Sequence, residues 1–159
     1  MSLILKHELK KLQVGFPSRV PSPRVSGAVL GGTSNIEFGD LVMYDGNGRY
    51  KKVASATGLA DIAGFCLGTN VKLADEENHV YVKPGEAFNL VLPDSFMAIK
   101  LADSVENIGD IKPNGQVYVN LTTGALTASS SGTTALTGVV FTGVAEAQGT
   151  VLVAEIYIK

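Results

Sequence analysis

Two-residue alternation in the last third of the chain is the strongest constraint on its fold. In the stretch Gly115–Ala128, Val117, Val119 and Leu121 fall on one side while Gln116, Tyr118 and Asn120 fall on the other. That period belongs to a half-buried strand. Thr122-Thr123-Gly124 predicts the turn of a hairpin, because glycine takes the positive φ of a bulged loop without strain. A second pair is predicted from Gly138 to Glu146 and from Thr150 to Ile158, joined at Gln148-Gly149. The last strand is apolar on both faces, with Leu152, Ala154, Ile156 and Ile158 opposed to Val151, Val153 and Tyr157. A strand covered on both sides lies inside a barrel or sandwich, or at a subunit contact. Val151, Val153 and Tyr157 are therefore expected oligomer-contact residues.

The same plan recurs upstream. Gly39 to Val53 reads as a hairpin aligned with the one after Gly115 at an offset of 76 residues, with Val42 on Tyr118 and Gly48 on Gly124. Ile62–Leu67 then aligns with Phe141–Glu146 at an offset of 79, and Val80–Val82 with Val151–Val153. Glycine turns at such spacing, with strands between them, predict an all-β chain of two related halves, Gly39–Val82 and Gly115–Ile158, and eight to ten strands. Further strands are expected at Val25–Leu30 and Phe88–Leu92. Phe96–Ala102 fits a strand or one helical turn. Lys72–His79 reads as a solvated acidic bend and Ala128–Thr134 as a flexible polar loop.

The N-terminus has a different character. Residues 1–24 carry Lys6, Lys10, Lys11, Arg19 and Arg24 against Glu8 alone, a balance of +4. A net charge of −2 for the whole chain leaves −6 on the remainder. Ser2–Leu12 has Leu5, Leu9 and Leu12 at the spacing of a short helix face. Pro17, Pro21 and Pro23 then favour an extended path. A basic, extended arm on an acidic body predicts an acidic partner surface. The expected organisation is an arm over residues 1–34 and a body over 35–159. Lys10, Lys11, Phe16, Arg19, Val20 and Arg24 are the candidate gripping residues. Removing residues 1–24 is expected to leave the body's melting temperature unchanged.

Chemistry-bearing patterns are sparse. His7 and His79 have no cysteine or histidine at metal-ligand spacing, so neither metal nor cofactor is expected. Gly31-Gly32-Thr33-Ser34 lacks the lysine of a phosphate loop, and no Gly-x-Ser-x-Gly elbow occurs. Asp40, Asp45 and Asp110 neighbour turn glycines, where aspartate is placed by its own backbone bonds. Cys66 lies in an apolar strand as a small core residue, and a single cysteine forms no intrachain disulfide. No run of eighteen apolar residues suggests a membrane helix. The arm lacks the interleaved aromatics of a nucleic-acid binder, and the body is acidic, so nucleic acid is not an expected partner.

Gly39-Asp-Leu-Val, Ile62-Ala-Gly-Phe-Cys, Gly115-Gln-Val-Tyr-Val with Thr123-Gly124-Ala125, Thr142-Gly-Val-Ala and the terminal apolar strand resemble tailed-bacteriophage head decoration proteins, also called capsid cement proteins. The resemblance covers about residues 36–158. It implies a small β-barrel or β-tulip body without enzymatic activity. It also implies a place on the outer surface of the virion shell, after synthesis in the host cytoplasm. There such a protein, commonly a trimer and otherwise a dimer, staples neighbouring major capsid subunits. Two other readings compete: the base domain of a head fibre or adhesin, and a small β-barrel enzyme. An adhesin calls for exposed aromatics, and an enzyme for clustered titratable groups.

Overall fold

A computed structural model describes residues 12–18, 24–68, 81–102 and 107–159. Twelve strands run through them: β1 (Val25–Val29), β2 (Ile36–Glu37), β3 (Leu41–Tyr44), β4 (Tyr50–Lys52), β5 (Ile62–Leu67), β6 (Tyr81–Val82), β7 (Ala87–Val91), β8 (Ser95–Lys100), β9 (Gln116–Val119), β10 (Leu126–Thr127), β11 (Thr134–Gln148) and β12 (Val151–Ile158). The only helical turns among the described residues are 3-10, at Leu59–Asp61 and Ile108–Asp110. The all-β expectation therefore holds. Twelve strands exceed the expected upper bound of ten by two, and β2, a two-residue piece too short to show a period, is not among those expected.

One five-stranded sheet has the order β1-β7-β5-β3-β4 and the other β10-β9-β11-β12-β8. Read from the hairpin outward these are the same sheet. The second strand of the hairpin lies at one edge, then the first, then the next two strands of that sheet in chain order (β5 and β7, or β11 and β12), then a strand drawn from before the hairpin. Equivalent hydrogen bonds fix the alignment. Gly39 N–H donates to Cys66 O and Cys66 N–H to Asp40 O; Asn114 N–H donates to Phe141 O and Phe141 N–H to Gly115 O. Asp40 to Gly115 and Cys66 to Phe141 are both shifts of 75 residues, one fewer than the offset expected at Gly39 and four fewer than that expected for β5. Outward from there, Cys66 pairs with Leu90 and Leu90 with Ser26, as Phe141 pairs with Ile156 and Ile156 with Met97. The counterpart of β12 is thus β7. The Val80–Val82 segment instead supplies β6, which pairs with β2 in a separate two-stranded sheet.

The hairpin loops match as well. Asp45 Oδ1 accepts from Asn47 N–H, and Asn120 Oδ1 from Thr122 N–H, so each loop opens with the same side-chain turn. The second loop is one residue longer, which restores the offset of 76 at Gly48 and Gly124. Gly124 sits at φ +75, and a β-carbon there would press on Val53.

Neither sheet is a closed barrel, but each is drawn together at one end. Gly31 N–H donates to Tyr50 O at 2.6 Å, joining the end of β1 to β4. Ala102 N–H donates to Leu126 O at 2.7 Å, joining the end of β8 to β10. The largest apolar cluster is shared by both halves, with Leu41, Phe65, Leu67 and Val91 meeting Ile99, Val117, Phe141 and Ile156. A second cluster, including Leu30, Ile36, Val42, Cys66 and Phe88, fills the first half. The alternation of β5 explains both: Phe65 faces the shared core and Cys66 the local one. Cys66 is wholly buried, as expected for a packing residue.

Candidate docking surfaces

The described part of the N-terminal segment lies on the body. Residues 14–17 run along the outer edge of β8, through bridges Val14–Ala98 and Pro17–Met97. Gly15 N–H donates to Ala98 O at 2.8 Å, and Ala98 N–H to Phe16 O at 3.1 Å. The other side of the segment meets the first half: Gly68 N–H donates to Gly15 O, and the Phe16 ring meets Phe38 edge to face at 5.6 Å. Gly15 is required at this crossing. Its φ is +74, and a β-carbon there would overlap the main chain and β-carbon of Phe38. Residues 12–18 therefore strap the two halves together and cover a sheet edge that would otherwise be open.

This placement bears on each expected site residue. Phe16 is half-buried against its own body. Arg24 is exposed, with its N–H donating to Ser95 Oγ at 3.1 Å and its carbonyl accepting from Leu92 N–H. Lys10, Lys11, Arg19 and Val20 lie outside the described residues, as do the predicted helix through residue 11 and the acidic bend. A boundary after residue 34 would cut β1 away from the sheet it edges.

Val153 is completely buried in a small cluster with Leu12 and Ala98. The apolar second face of β12 is thus covered within the chain, by the strap. While the strap is seated, Val153 meets Leu12 and not a second copy. Val151 is half-buried beside the same cluster. Tyr157 stacks on Phe96 at 4.6 Å and donates its hydroxyl hydrogen to Asp94 Oδ1 at 2.9 Å, which raises its pKa.

One buried carboxyl group escaped the sequence reading. Glu155 sits in the apolar run of β12 and is only 3% exposed. Thr142 Oγ1 donates to its carboxylate at 2.5 Å. Thr142 stands where β11 breaks register against β12 between Phe141 and Ala145, so the bulge aims the hydroxyl at the carboxylate. A charged residue in mid-strand was the available signal.

Of the aspartates beside turn glycines, Asp45 and Asp40 hold their own backbone. Asp45 accepts from Asn47 and Arg49 N–H, and the Asn47 bond chiefly holds its pKa below the usual value. Asp40 accepts from Glu37 N–H and pairs with Lys52 at 2.8 Å. That pair rims a cleft of about 520 Å³ between the halves, lined also by Phe38, Lys100 and Leu126. Among the described residues no group of three histidine, cysteine or carboxylate side chains is placed to hold a metal ion.

Duplicated sheets, a shared core and an edge-covering strap define a small all-β structural module. A family model described as "Structural cement protein (E217 gp24/Pam3 gp6)", a phage cement family, matches residues 7–155. The chain belongs to this family. Its role is accordingly structural: it stabilises and decorates a phage capsid. In fold it is similar to a chain in the solved capsid of Myoviridae phage XM1, with a TM-score of 0.71 and 18% identity over 100% of this chain and 97% of that one. No curated protein matches the sequence.

Proposed function

We propose that the protein binds the outer surface of an assembled phage head and holds neighbouring major capsid subunits together, without catalytic activity. The observation that carries this reading is the family match over nearly the whole chain. A ligand that binds only the assembled shell stabilises it by mass action. Several copies around one symmetry position, as trimers or otherwise dimers, multiply weak contacts through effective concentration.

Within this reading the charged residues on either side of the strap, Lys10, Lys11, Arg19 and Arg24, meet acidic groups on the shell, with Val20 among them. Phe16 serves as the anchor that fixes their origin on the body. The test is direct. Purified heads lacking this protein are mixed with it, and occupancy and head melting are followed as salt is raised. Saturable binding that raises the heads' melting temperature is expected. Replacing the four basic residues by alanine should weaken binding and flatten its salt dependence. Heads that neither bind the protein nor gain stability from it overturn the proposal.

A further inference from the structure

We infer that the outer edge of β1, centred on Gly27, is a strand-acceptor site for an extended segment of the shell protein. This rests on the capsid-binding reading above and assigns it a surface. Alignment of the halves places Gly27 on Ala98. Ser26 and Met97 occupy the same position against Leu90 and Ile156, and Gly31 and Ala102 make the same closing bond. Ala98 is the residue whose outward N–H and C=O are both taken by the strap. Pairing of β1 with β7 uses its even-numbered residues. Arg24 O accepts from Leu92 N–H, and Leu30 N–H donates to Glu86 O. The main-chain groups of Val25 and Gly27 therefore point outward. Among the described residues nothing bonds those of Gly27, which is exposed.

The chain thus shows in one half what fills this edge and, among the described residues, leaves it open in the other. The filler is an extended segment held by main-chain bonds, the general mode of strand addition. The open edge has none of the usual guards. Val25-Ser-Gly-Ala-Val29 contains no charge and no proline, and its pairing with β7 is unbroken by a bulge. Val25 and Val29 are 41% and 38% exposed, two of the four large apolar side chains left in solvent among the described residues. They flank Gly27 on one face of the strand, so an incoming segment gains apolar cover beside its hydrogen bonds.

A second copy of β1 is the poorer occupant. β4 closes on the end of β1 at Leu30 and Gly31. An antiparallel pair of two β1 edges would then overlap only from Val25 to Gly27, too little to hold a dimer. A longer shell segment does not have to fit within that overlap.

Gly27→Pro is the test, because it removes the outward N–H and leaves the β7 bonds intact. Gly27→Ala is its control, since a β-carbon there meets nothing within 4 Å. Both are compared with the wild type for binding to heads lacking the protein, after thermal melts have confirmed folding. Gly27→Pro is expected to bind at least about tenfold more weakly, with Gly27→Ala close to wild type. If Gly27→Pro does not fold, the exposed pair Val25→Lys with Val29→Lys takes its place with the same expectation. Folded variants that bind like the wild type overturn the edge assignment and leave the capsid role standing. A wild-type protein that ignores the heads removes both. Free protein that is dimeric as wild type and monomeric as Gly27→Pro assigns the edge to a second copy instead.

Discussion

Phe16→Ala tests whether residues 12–18 belong to the folded body or wait for a partner. The Phe16 ring is half-buried, packs with the cluster of the first half, and lies edge to face on Phe38. Truncating a fully buried phenylalanine costs about 3–5 kcal/mol, so half-burial scales this to about 2 kcal/mol. The aromatic pair adds about 0.5–1 kcal/mol. A loss of about 2–3 kcal/mol lowers the melting temperature of a domain of this size by about 5–10 °C. The assay is a calorimetric or urea melt of the free protein, with no heads present. A shift smaller than about 2 °C would refute the reasoning, since the strap would then be unseated in solution. The same logic reverses the expectation for removal of residues 1–24. That deletion strips Leu12 from Val153 and Phe16 from Phe38, and it uncovers the edge of β8. The truncated protein should melt lower than the full chain.

Gly15→Ala should unseat the same strap by overlap with Phe38 and strain at φ +74, for a loss of about 2 kcal/mol in a urea melt; an unchanged midpoint would contradict the crossing geometry. Thr142→Val keeps shape but takes a donor from buried Glu155, and should cost about 1–3 kcal/mol, read from the denaturation midpoint. The Asp45 carboxyl should titrate below 3.8 by NMR, because the Asn47 and Arg49 N–H bonds that it accepts are stronger to the ionised form than to the neutral one. With a folded pKa below the unfolded one, its contribution is present above about pH 4 and fades as pH falls through the folded value. A midpoint at or above 3.8 would count against the turn as described.

Much of the fold was legible because the strand period and the glycine turns are local signals. The hairpin of β9 and β10, the β11–β12 pair and β5 lie where alternation and turn chemistry place them. The duplication was legible too, but its alignment slipped. Val42 and Tyr118 both look like mid-strand residues, whereas the hydrogen bonds of Asp40 and Gly115 set the shift at 75. A one-residue slip changes which side chains face the core, and only ladder partners decide it. The second apolar face of β12 is a different case. Two apolar faces demand two covers, and the sequence names neither. One cover is the shared core. The other includes Leu12, which is 141 residues away from Val153 in the chain. The function was legible through family likeness, not through any site.

The strap also changes what an N-terminal arm does in a cement protein of this kind. An arm with no hold on its own body adds reach but little precision, because its flexible origin spreads its effective concentration over a large volume. Here the segment is fixed at Leu12 by Glu146, which accepts its N–H, and by Gln148, which donates to its carbonyl. It is fixed again at Gly15 and Phe16. On the proposed reading, basic residues on both sides of the strap then start from defined points on the body. Exposed ion pairs contribute only about 0.2–1 kcal/mol each, so such charges need defined starting points to act together. Loosening the strap should therefore weaken head binding even when every basic residue is intact. Phe16→Ala, assayed on heads at a temperature where it remains folded, is expected to bind more weakly than the wild type. Its salt dependence should be unchanged, since no charge is lost. Equal affinity for wild type and Phe16→Ala would show that seating of the strap and gripping of the shell are independent.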